Sequence, residues 1–471
     1  MNSDPNRLRQ EIDAIAPPPV QPNRVLKYHM TSLGCPKNLV ESEEMMAELA
    51  ISGMVMVNDP DDADLLIVNT CGFINPAKEE GVDVIMDLIE CKERNQGQRL
   101  MVVGCLVERY RQDLKQELPE VDAFVGVQDR EAFLNQAWAA LGSRQTNPLP
   151  PHLPYKPRLL TSPPHMAYLR ISDGCFHTCS FCAIPKMRGT LRSRSIEENV
   201  AEAKALVAGG AKELVVISQD TTSYGLDIYN RLAITELLAE LEKIEGLEWI
   251  RLMYLYPHLV DKRLIRYFAH SEKLVSYIDM PIQHGHPEIL KRMNRGSTDV
   301  HIRKAMQGLR EVRNDLVART TVMVGFPGEK KHHFEAMQQL LDEVGFDRIG
   351  VFQYSDEDGT PAELLDENVS DRLKEKRYRQ LVDWARERAE NSNQGMVGEI
   401  MPVLIDAKDP EGDGYWGRYY GQAPDVDGQV YVRGGKLHVG DFVKVRITEA
   451  DEDNLYAHTH AEITSTLTCG S

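Results

Sequence analysis

From about residue 166 onward the sequence repeats one pattern six times: a short apolar run of strand character, then an amphipathic helix. The runs are Ala167–Ile171, Leu214–Ser218, Trp249–Leu255, Tyr277–Ile282, Thr320–Gly325 and Ile349–Tyr354. Helical spacing fills the gaps, for example over Ile196–Ala208, Thr235–Ile244, His301–Arg313 and His333–Val344. Strands that alternate with helices pair in parallel through right-handed crossovers. Six units fall short of the eight that close a β/α barrel, so the pattern predicts a partial (β/α)6 barrel, ended by a charged helix over about 371–390.

Other textures flank this core. Residues 1–24 carry Pro17-Pro18-Pro19 and few apolar residues, as expected of a disordered tail. Residues 25–141 alternate strand candidates (Leu26–Thr31, Leu65–Asn69, Arg99–Val103, Ala123–Val127) with helices such as Val40–Ser52 and Ala77–Lys92, which predicts a smaller parallel α/β domain. Residues 142–165 hold seven prolines and form a semi-rigid linker before a core domain at 166–395. Over 396–466, short β-type runs (Met401–Ile405, Gln429–Val432, Phe442–Ile447) alternate with Gly- and Asp-rich turns, the pattern of a small all-β barrel. The expected fold class is therefore α/β, with an all-β C-terminal domain.

With 471 residues the chain has material for more than one core. No apolar run is long enough to span a bilayer and no basic-then-apolar leader opens the sequence, so a soluble cytoplasmic protein is expected, with no membrane partner. A net charge of −18 argues against a general nucleic-acid binder and suits a basic protein partner. Nothing in the sequence asks for an oligomer, and a monomer is expected. Eight cysteines in a chain of this size and compartment point to metal rather than to a disulfide scaffold.

Three of them, Cys175, Cys179 and Cys182, stand in GCFHTCSFC as CxxxCxxC. A three-thiolate set can hold a cubane [4Fe-4S] cluster through three irons and leave the fourth open to a small molecule. The competing readings are structural zinc, which wants a fourth ligand that His177 is too close to supply, and a redox CxxC, which has no use for Cys175. The spacing, with Phe181 before the last cysteine, resembles radical S-adenosylmethionine (SAM) enzymes, and that resemblance also implies a partial barrel.

A second set is dispersed. Cys35, Cys71 and Cys105, in SLGCPKN, NTCGF and VGCLVE, each follow a predicted strand of the first α/β domain. Successive parallel strands end at the same edge, so the three thiols are expected to converge there, where such folds bind ligands. Buried structural thiols are the alternative. Cys91 and Cys469 fall outside both sets and read as spectators.

Taken in order, SLGCPKN, NTCGFI, GCLVERY, GCFHTCSFCAIPKMRG, QDTTSYGLD, YIDMPIQHGHPEIL and VGFPGE resemble the methylthiotransferase family, and the all-β tail resembles its TRAM domain. CPKN, NTCGF and AIPKMRG resemble the branch that methylthiolates the β-carbon of an aspartate in the twelfth small-subunit ribosomal protein. The resemblance implies two [4Fe-4S] clusters and SAM as cofactors. Cys175, Cys179 and Cys182 would hold the cluster that cleaves SAM, and Cys35, Cys71 and Cys105 an auxiliary cluster that presents sulfur. It also implies an electron donor such as flavodoxin or ferredoxin and, as protein substrate, that ribosomal protein, free or on the ribosome. Such chemistry rests on cofactors, so no side chain is assigned as a catalytic acid or base.

Around SAM, the candidates are Phe181 in the cysteine motif, Ser218, Gln219 and Asp220 at the end of the second core strand, and Gly325 and Gly328 in GFPGE. Polar turn capping is the alternative for the first strand-end group and plain turn chemistry for the glycines. Arg188 and Arg192 are read as solvated. His284 and His286 are read as a barrel-mouth loop rather than a metal pair. Residues 396–471 hold 13 acidic against 6 basic residues, which disfavours RNA and favours a basic protein. The competing functions are a tRNA adenosine methylthiotransferase and a non-catalytic iron-sulfur or zinc protein.

Overall fold

The computed structural model describes residues 24–143 and 154–460. The expected N-terminal tail up to residue 23, part of the proline-rich linker and Cys469 lie outside the described residues. Two compact units result: one runs to Leu159 and takes in Lys186–Gly189, and the other comprises Leu160–Pro185 and everything from Thr190 on.

The first unit is a five-stranded parallel sheet in the order β2-β1-β3-β4-β5. Its strands are β1 (Lys27–Ser32), β2 (Val55–Met56), β3 (Leu65–Thr70), β4 (Arg99–Gly104) and β5 (Ala123–Gly126). Alternate residues of β3 and β4 feed two cores. Leu65, Ile67, Met101 and Val103 pack with Met45, Leu49 and Phe133 on one face, and Leu66, Val68, Leu100 and Val102 with Ile85, Leu88 and Leu106 on the other. Helices cover both faces, which explains why β3 reads as a continuous apolar run instead of alternating. Trimming one of these buried side chains to Ala should cost about 2–5 kcal/mol.

The second unit holds a six-stranded sheet in the order β13-β12-β11-β10-β9-β6. It is built from β6 (Met166–Arg170), β9 (Glu213–Ile217), β10 (Trp249–Leu252), β11 (Leu274–Asp279), β12 (Val317–Val324) and β13 (Arg348–Gln353). All neighbours pair in parallel, as the strand–helix alternation requires. A two-residue ribbon, β7 (Ser172–Asp173) with β8 (Arg192–Ser193), closes the loop that carries CxxxCxxC. Two apolar runs continue past their strands. β10 stops at Leu252 and β11 at Asp279; beyond them Tyr254 and Gln283 take left-handed backbone angles (φ 60° and 71°), yet Leu255 and Ile282 remain core residues. The helix Lys262–His270 escaped the sequence pattern. Only Leu264 and Phe268 of its side chains are buried, and its start rests on Asp261, which accepts from the Arg263 and Leu264 N–H groups.

The C-terminal strands β14 (Ile400–Lys408), β15 (Tyr415–Arg418), β16 (Val430–Arg433), β17 (Phe442–Ala450) and β18 (Leu455–Thr459) form a closed barrel in the order β14-β15-β16-β18-β17. Within the second unit this barrel and the segment after β15 bond to side chains at the start of β9 and in the middle of β6, β10 and β11. Glu213 binds Arg251 and Arg418, and Arg418 binds Asp406, which also takes His165. The segment after β15 adds the Tyr420 carbonyl to Arg251, Asp425 to the Tyr168 hydroxyl, and Asp427 to the Tyr277 hydroxyl. The other end of the sheet, where the strands finish, stays with the cysteine loop.

Candidate active site

In the first unit, strand register brings the dispersed cysteines together. Ser32 pairs with Asn69 and Thr70 with Gly104, so the chain leaves β1, β3 and β4 at one edge, just ahead of Cys35, Cys71 and Cys105. Glycines make the approach close. A Cβ on Gly34 (φ 87°) would stand 2.7 Å from the Cys71 Cβ, and one on Gly72 would stand 2.8 Å from the Cys105 carbonyl carbon. Cys35 is the N-cap of the helix Pro36–Ile51, and Cys105 is the first residue of the helix Cys105–Glu117. Two helix N-termini therefore point partial positive charge at the triad, which favours thiolate and an anionic cluster. Burial pushes the Cys105 thiol up to about 12 and raises Cys71 as well. Thiolates in so dry a place need a metal cation as counter-charge. The donor set, three sulfurs at one edge with no fourth cysteine there among the described residues, fits a site-differentiated cubane.

Asn38 and Arg188 complete this pocket, and sequence reasoning missed both. Asn38 lies one turn into the helix capped by Cys35, and its Oδ1 is 3.8 Å from the Cys35 sulfur and 3.9 Å from the Cys105 sulfur. Arg188, read from sequence as solvated, is 1% exposed and binds Glu41 and Asn38. Asn38 stands in the CPKN motif, and its i+3 spacing from Cys35 was the available signal. No local signal could have foretold that Arg188 would be buried.

In the second unit, Cys175, Cys179 and Cys182 share the loop between β7 and β8, with the Cys182 N–H donating to the Cys179 carbonyl at 3.1 Å. Burial pushes the thiols of Cys175 and Cys182 up to about 12, and the neighbouring thiols of the motif add to the rise. Arg295 Nη1 lies 3.6 Å from the Cys179 sulfur, and its guanidinium lies over the Tyr256 ring. On Tyr256 stacks His177 (ring centroids 3.7 Å apart), whose Nε2 meets the Asp220 carboxylate at 2.7 Å. Asp220 in turn accepts from the Thr222 N–H. A residue inside the cysteine motif is thus locked to the end of β9.

Ser218, Gln219 and Asp220 follow β9, as expected. Asp220 is engaged as described, and Gln219 donates its amide to Asp173 at 3.0 Å. The Ser218 hydroxyl, the Gln219 carbonyl oxygen and the Ser172 hydroxyl are buried polar atoms with no hydrogen-bond partner among the described residues. Such orphans at adjacent strand ends of a β/α sheet suit the amino and carboxyl groups of a polar ligand. Phe181 packs with Ile289, Met293, Phe326 and Tyr354, a small apolar cluster under the cysteine loop.

The two glycines of GFPGE have protein neighbours of their own. A Cβ on Gly325 (φ 78°) would lie 2.4 Å from Lys374 Cγ, and one on Gly328 (φ 82°) would overlap the Arg292 guanidinium. The Gly325 N–H donates to Glu329, which Arg377 holds at 2.6 Å. His284 lies 3.4 Å from the same carboxylate and makes no hydrogen bond to it from Nε2. His286, His332 and His333 cluster closely enough to share a cation. However, His286 Nδ1 accepts from the Glu288 N–H and His333 Nδ1 from the Lys330 N–H. That arrangement places the ring protons on Nε2 and leaves these two rings no spare lone pair.

Comparison with known proteins decides the family. Residues 27–126 match the uncharacterized protein family UPF0004, 169–341 the radical SAM superfamily and 397–459 the TRAM domain. A ribosomal protein uS12 methylthiotransferase RimO from Bdellovibrio bacteriovorus is 42% identical over 91% of this chain and 96% of its own. The proteins of that name from Geobacter sulfurreducens (42%, over 91% and 97%) and Aquifex aeolicus (43%, over 91% and 96%) agree. The chain belongs to the ribosomal protein uS12 methylthiotransferase family. As a radical SAM enzyme, this RimO relative uses a [4Fe-4S] cluster and SAM. Its fold is shared with a radical SAM methyltransferase, TsrM, from Kitasatospora setae, solved with cobalamin and a [4Fe-4S] cluster bound (TM-score 0.54, 15% identity, 72% of this chain and 77% of that one). No helix among the described residues is long and apolar enough to cross a membrane.

Proposed function

We propose that the chain methylthiolates the ribosomal protein uS12 at the β-carbon of an aspartate. In this reading Cys175, Cys179 and Cys182 hold the SAM-binding cluster, and Cys35, Cys71 and Cys105 an auxiliary [4Fe-4S] cluster. The observation that carries it is that each of two separate three-cysteine sets converges in its own compact unit, in a chain whose relatives bear this activity's name. When bound, these cofactors supply a carbon radical strong enough to take hydrogen from an unactivated carbon, together with a sulfur source.

The chain's own residues position and shield. The stack of Arg295, Tyr256 and His177 on Asp220 fixes the motif loop against the end of β9. The Arg295 guanidinium offers N–H groups to the Cys179 sulfur, the kind of outer-shell contact that tunes a cluster's potential. The orphaned oxygens of Ser172, Ser218 and Gln219 would receive the ammonium end of SAM, with Asp220 holding the turn behind them. Phe181 would support the loop from its apolar side. An electron donor of the flavodoxin or ferredoxin class completes the proposal.

The test is mass spectrometry of uS12 from cells lacking this gene, complemented with the wild type or with C35A/C71A/C105A. Loss of a methylthio group that only the wild type restores is expected. An unchanged uS12, with a tRNA adenosine losing its modification, would assign the protein to tRNA instead. Iron analysis after anaerobic reconstitution should give about eight irons per chain, and about four in the triple variant.

A further inference from the structure

The segment just after the radical SAM motif contributes a charged residue to the first unit. Arg188 lies six residues beyond Cys182, yet its guanidinium is buried against the helix Pro36–Ile51. Nη1 donates to Glu41 Oε1 at 2.8 Å, and Nη2 donates to Glu41 Oε2 at 3.1 Å and to Asn38 Oδ1 at 2.7 Å. The Asn38 amide cannot turn away. Its Nδ2 donates to the Leu33 carbonyl at 3.1 Å and the Thr70 carbonyl at 3.2 Å, which fixes Oδ1 toward the guanidinium and toward the sulfurs of Cys35 and Cys105.

A buried cation one hydrogen-bonded amide away from two sulfur ligands acts through protein rather than through water, so its field is weakly screened. Cluster potentials respond to local charge and to hydrogen bonds near the sulfurs, because reduction adds a negative charge. We propose that Arg188, held by Asn38 and opposed by Glu41, is the positioning residue that sets the reduction potential of the auxiliary cluster. Arg188 raises that potential and Glu41 lowers it. The proposal rests on the reading that Cys35, Cys71 and Cys105 hold a cluster.

Redox titration of the full-length, reconstituted protein, followed by electron paramagnetic resonance, tests it. A C175A/C179A/C182A background leaves only the dispersed triad. R188M should lower the one-electron reduction constant at least about tenfold, a fall of about 59 mV. R188K, which keeps the charge and loses the paired geometry, should stay near the parent potential. E41Q, which keeps the cation and removes its counter-charge, should move the potential up. Should R188M fail to hold iron, the rise in E41Q still decides the matter. Potentials unmoved in R188M and E41Q, or R188K falling as far as R188M, overturn the proposal while the cluster stands. A parent that binds no iron at the triad sinks the cluster reading, and the proposal with it.

Discussion

Replacing Glu213 by Gln should strip much of the stability from the second unit without touching its cysteines. Glu213 is fully buried, with Oε1 2.8 Å from Arg251 Nε and Oε2 2.7 Å from Arg418 Nη1. Arg418 also grips Asp406 through Nε at 2.7 Å and Nη2 at 3.0 Å. Two guanidiniums and two carboxylates thus balance in a dry junction between the sheet and the C-terminal barrel. At charge separations near 4 Å and an effective dielectric of about 20, each Glu213–Arg contact is worth about 4 kcal/mol before desolvation. Removing one partner leaves an uncompensated buried charge, for which the net loss is about 3–5 kcal/mol. For a unit of this size that is a fall of roughly 6–12 °C in its melting transition. Differential scanning calorimetry of the full chain measures it. The double variant E213L/R251L removes one charge of each sign and should recover most of the loss.

The same junction gives a pH dependence. Burial alone would raise the Glu213 carboxyl, but Arg418 and Arg251 outweigh it and hold the group below its ordinary value of 4.5. Burial likewise opposes Asp406, while His165 and Arg418 hold it down. A carboxyl whose folded value is depressed binds its proton more readily when unfolded. Its stabilisation is therefore complete above the ordinary carboxylate range and is lost as pH falls through the lowered folded value. Acidification below about pH 4.5 should destabilise the wild type more steeply than E213Q. A melting change under about 2 °C in E213Q, with wild-type acid sensitivity, would refute the reasoning.

Three further outcomes follow from close contacts. G34A brings a Cβ to 2.7 Å from Cys71 at a left-handed position, and should lose about half of the reconstituted iron, measured by iron analysis, while the SAM-type cluster signal persists. G325A should weaken SAM binding in equilibrium dialysis, and because its Cβ meets Lys374, the second change K374A should restore most of the affinity. If it does not, the left-handed backbone at Gly325 (φ 78°) rather than the Lys374 contact sets the loss. Neutralising Glu452 and Asp453, which are exposed, should lower the affinity for a basic uS12 substrate at low salt and flatten its salt dependence in a binding titration.

How far the sequence could be read depended on whether a residue's role was local. Strand–helix alternation foretold both parallel sheets, because burial on two faces writes itself into apolar runs such as Leu65–Val68. The convergence of Cys35, Cys71 and Cys105 followed from parallel topology alone. β15 and β18 were missed because Tyr415–Arg418 and Leu455–Thr459 are short and mix polar with apolar residues. Arg188, His177 and Arg295 were missed for another reason: their partners are distant in sequence, 150 positions for Arg188 with Asn38 and 116 for Arg295 with Cys179. Charged residues in such roles carry no periodicity, and only the folded chain shows which are buried.

The acidic C-terminal domain shows how a charge count can mislead in the same way. Its excess of acid suggested a surface that steers a basic substrate. Yet Asp406 and Asp427 are spent on Arg418 and Arg319, Asp425 takes the Tyr168 hydroxyl, and Asp409 takes the Tyr431 hydroxyl. Asp451, one of three consecutive acids, accepts from the Asp453 and Asn454 N–H groups and from the Tyr456 hydroxyl, so it shapes the turn before β18. The acids left exposed are those such as Glu411, Asp413, Glu449, Glu452 and Asp453. Part of what looks like a binding surface is thus the cement of a junction. Steering of a basic partner then falls mainly to the field of the whole chain, at −18, which acts on encounter rate and fades with salt. A local patch variant should accordingly slow association far more than it speeds release.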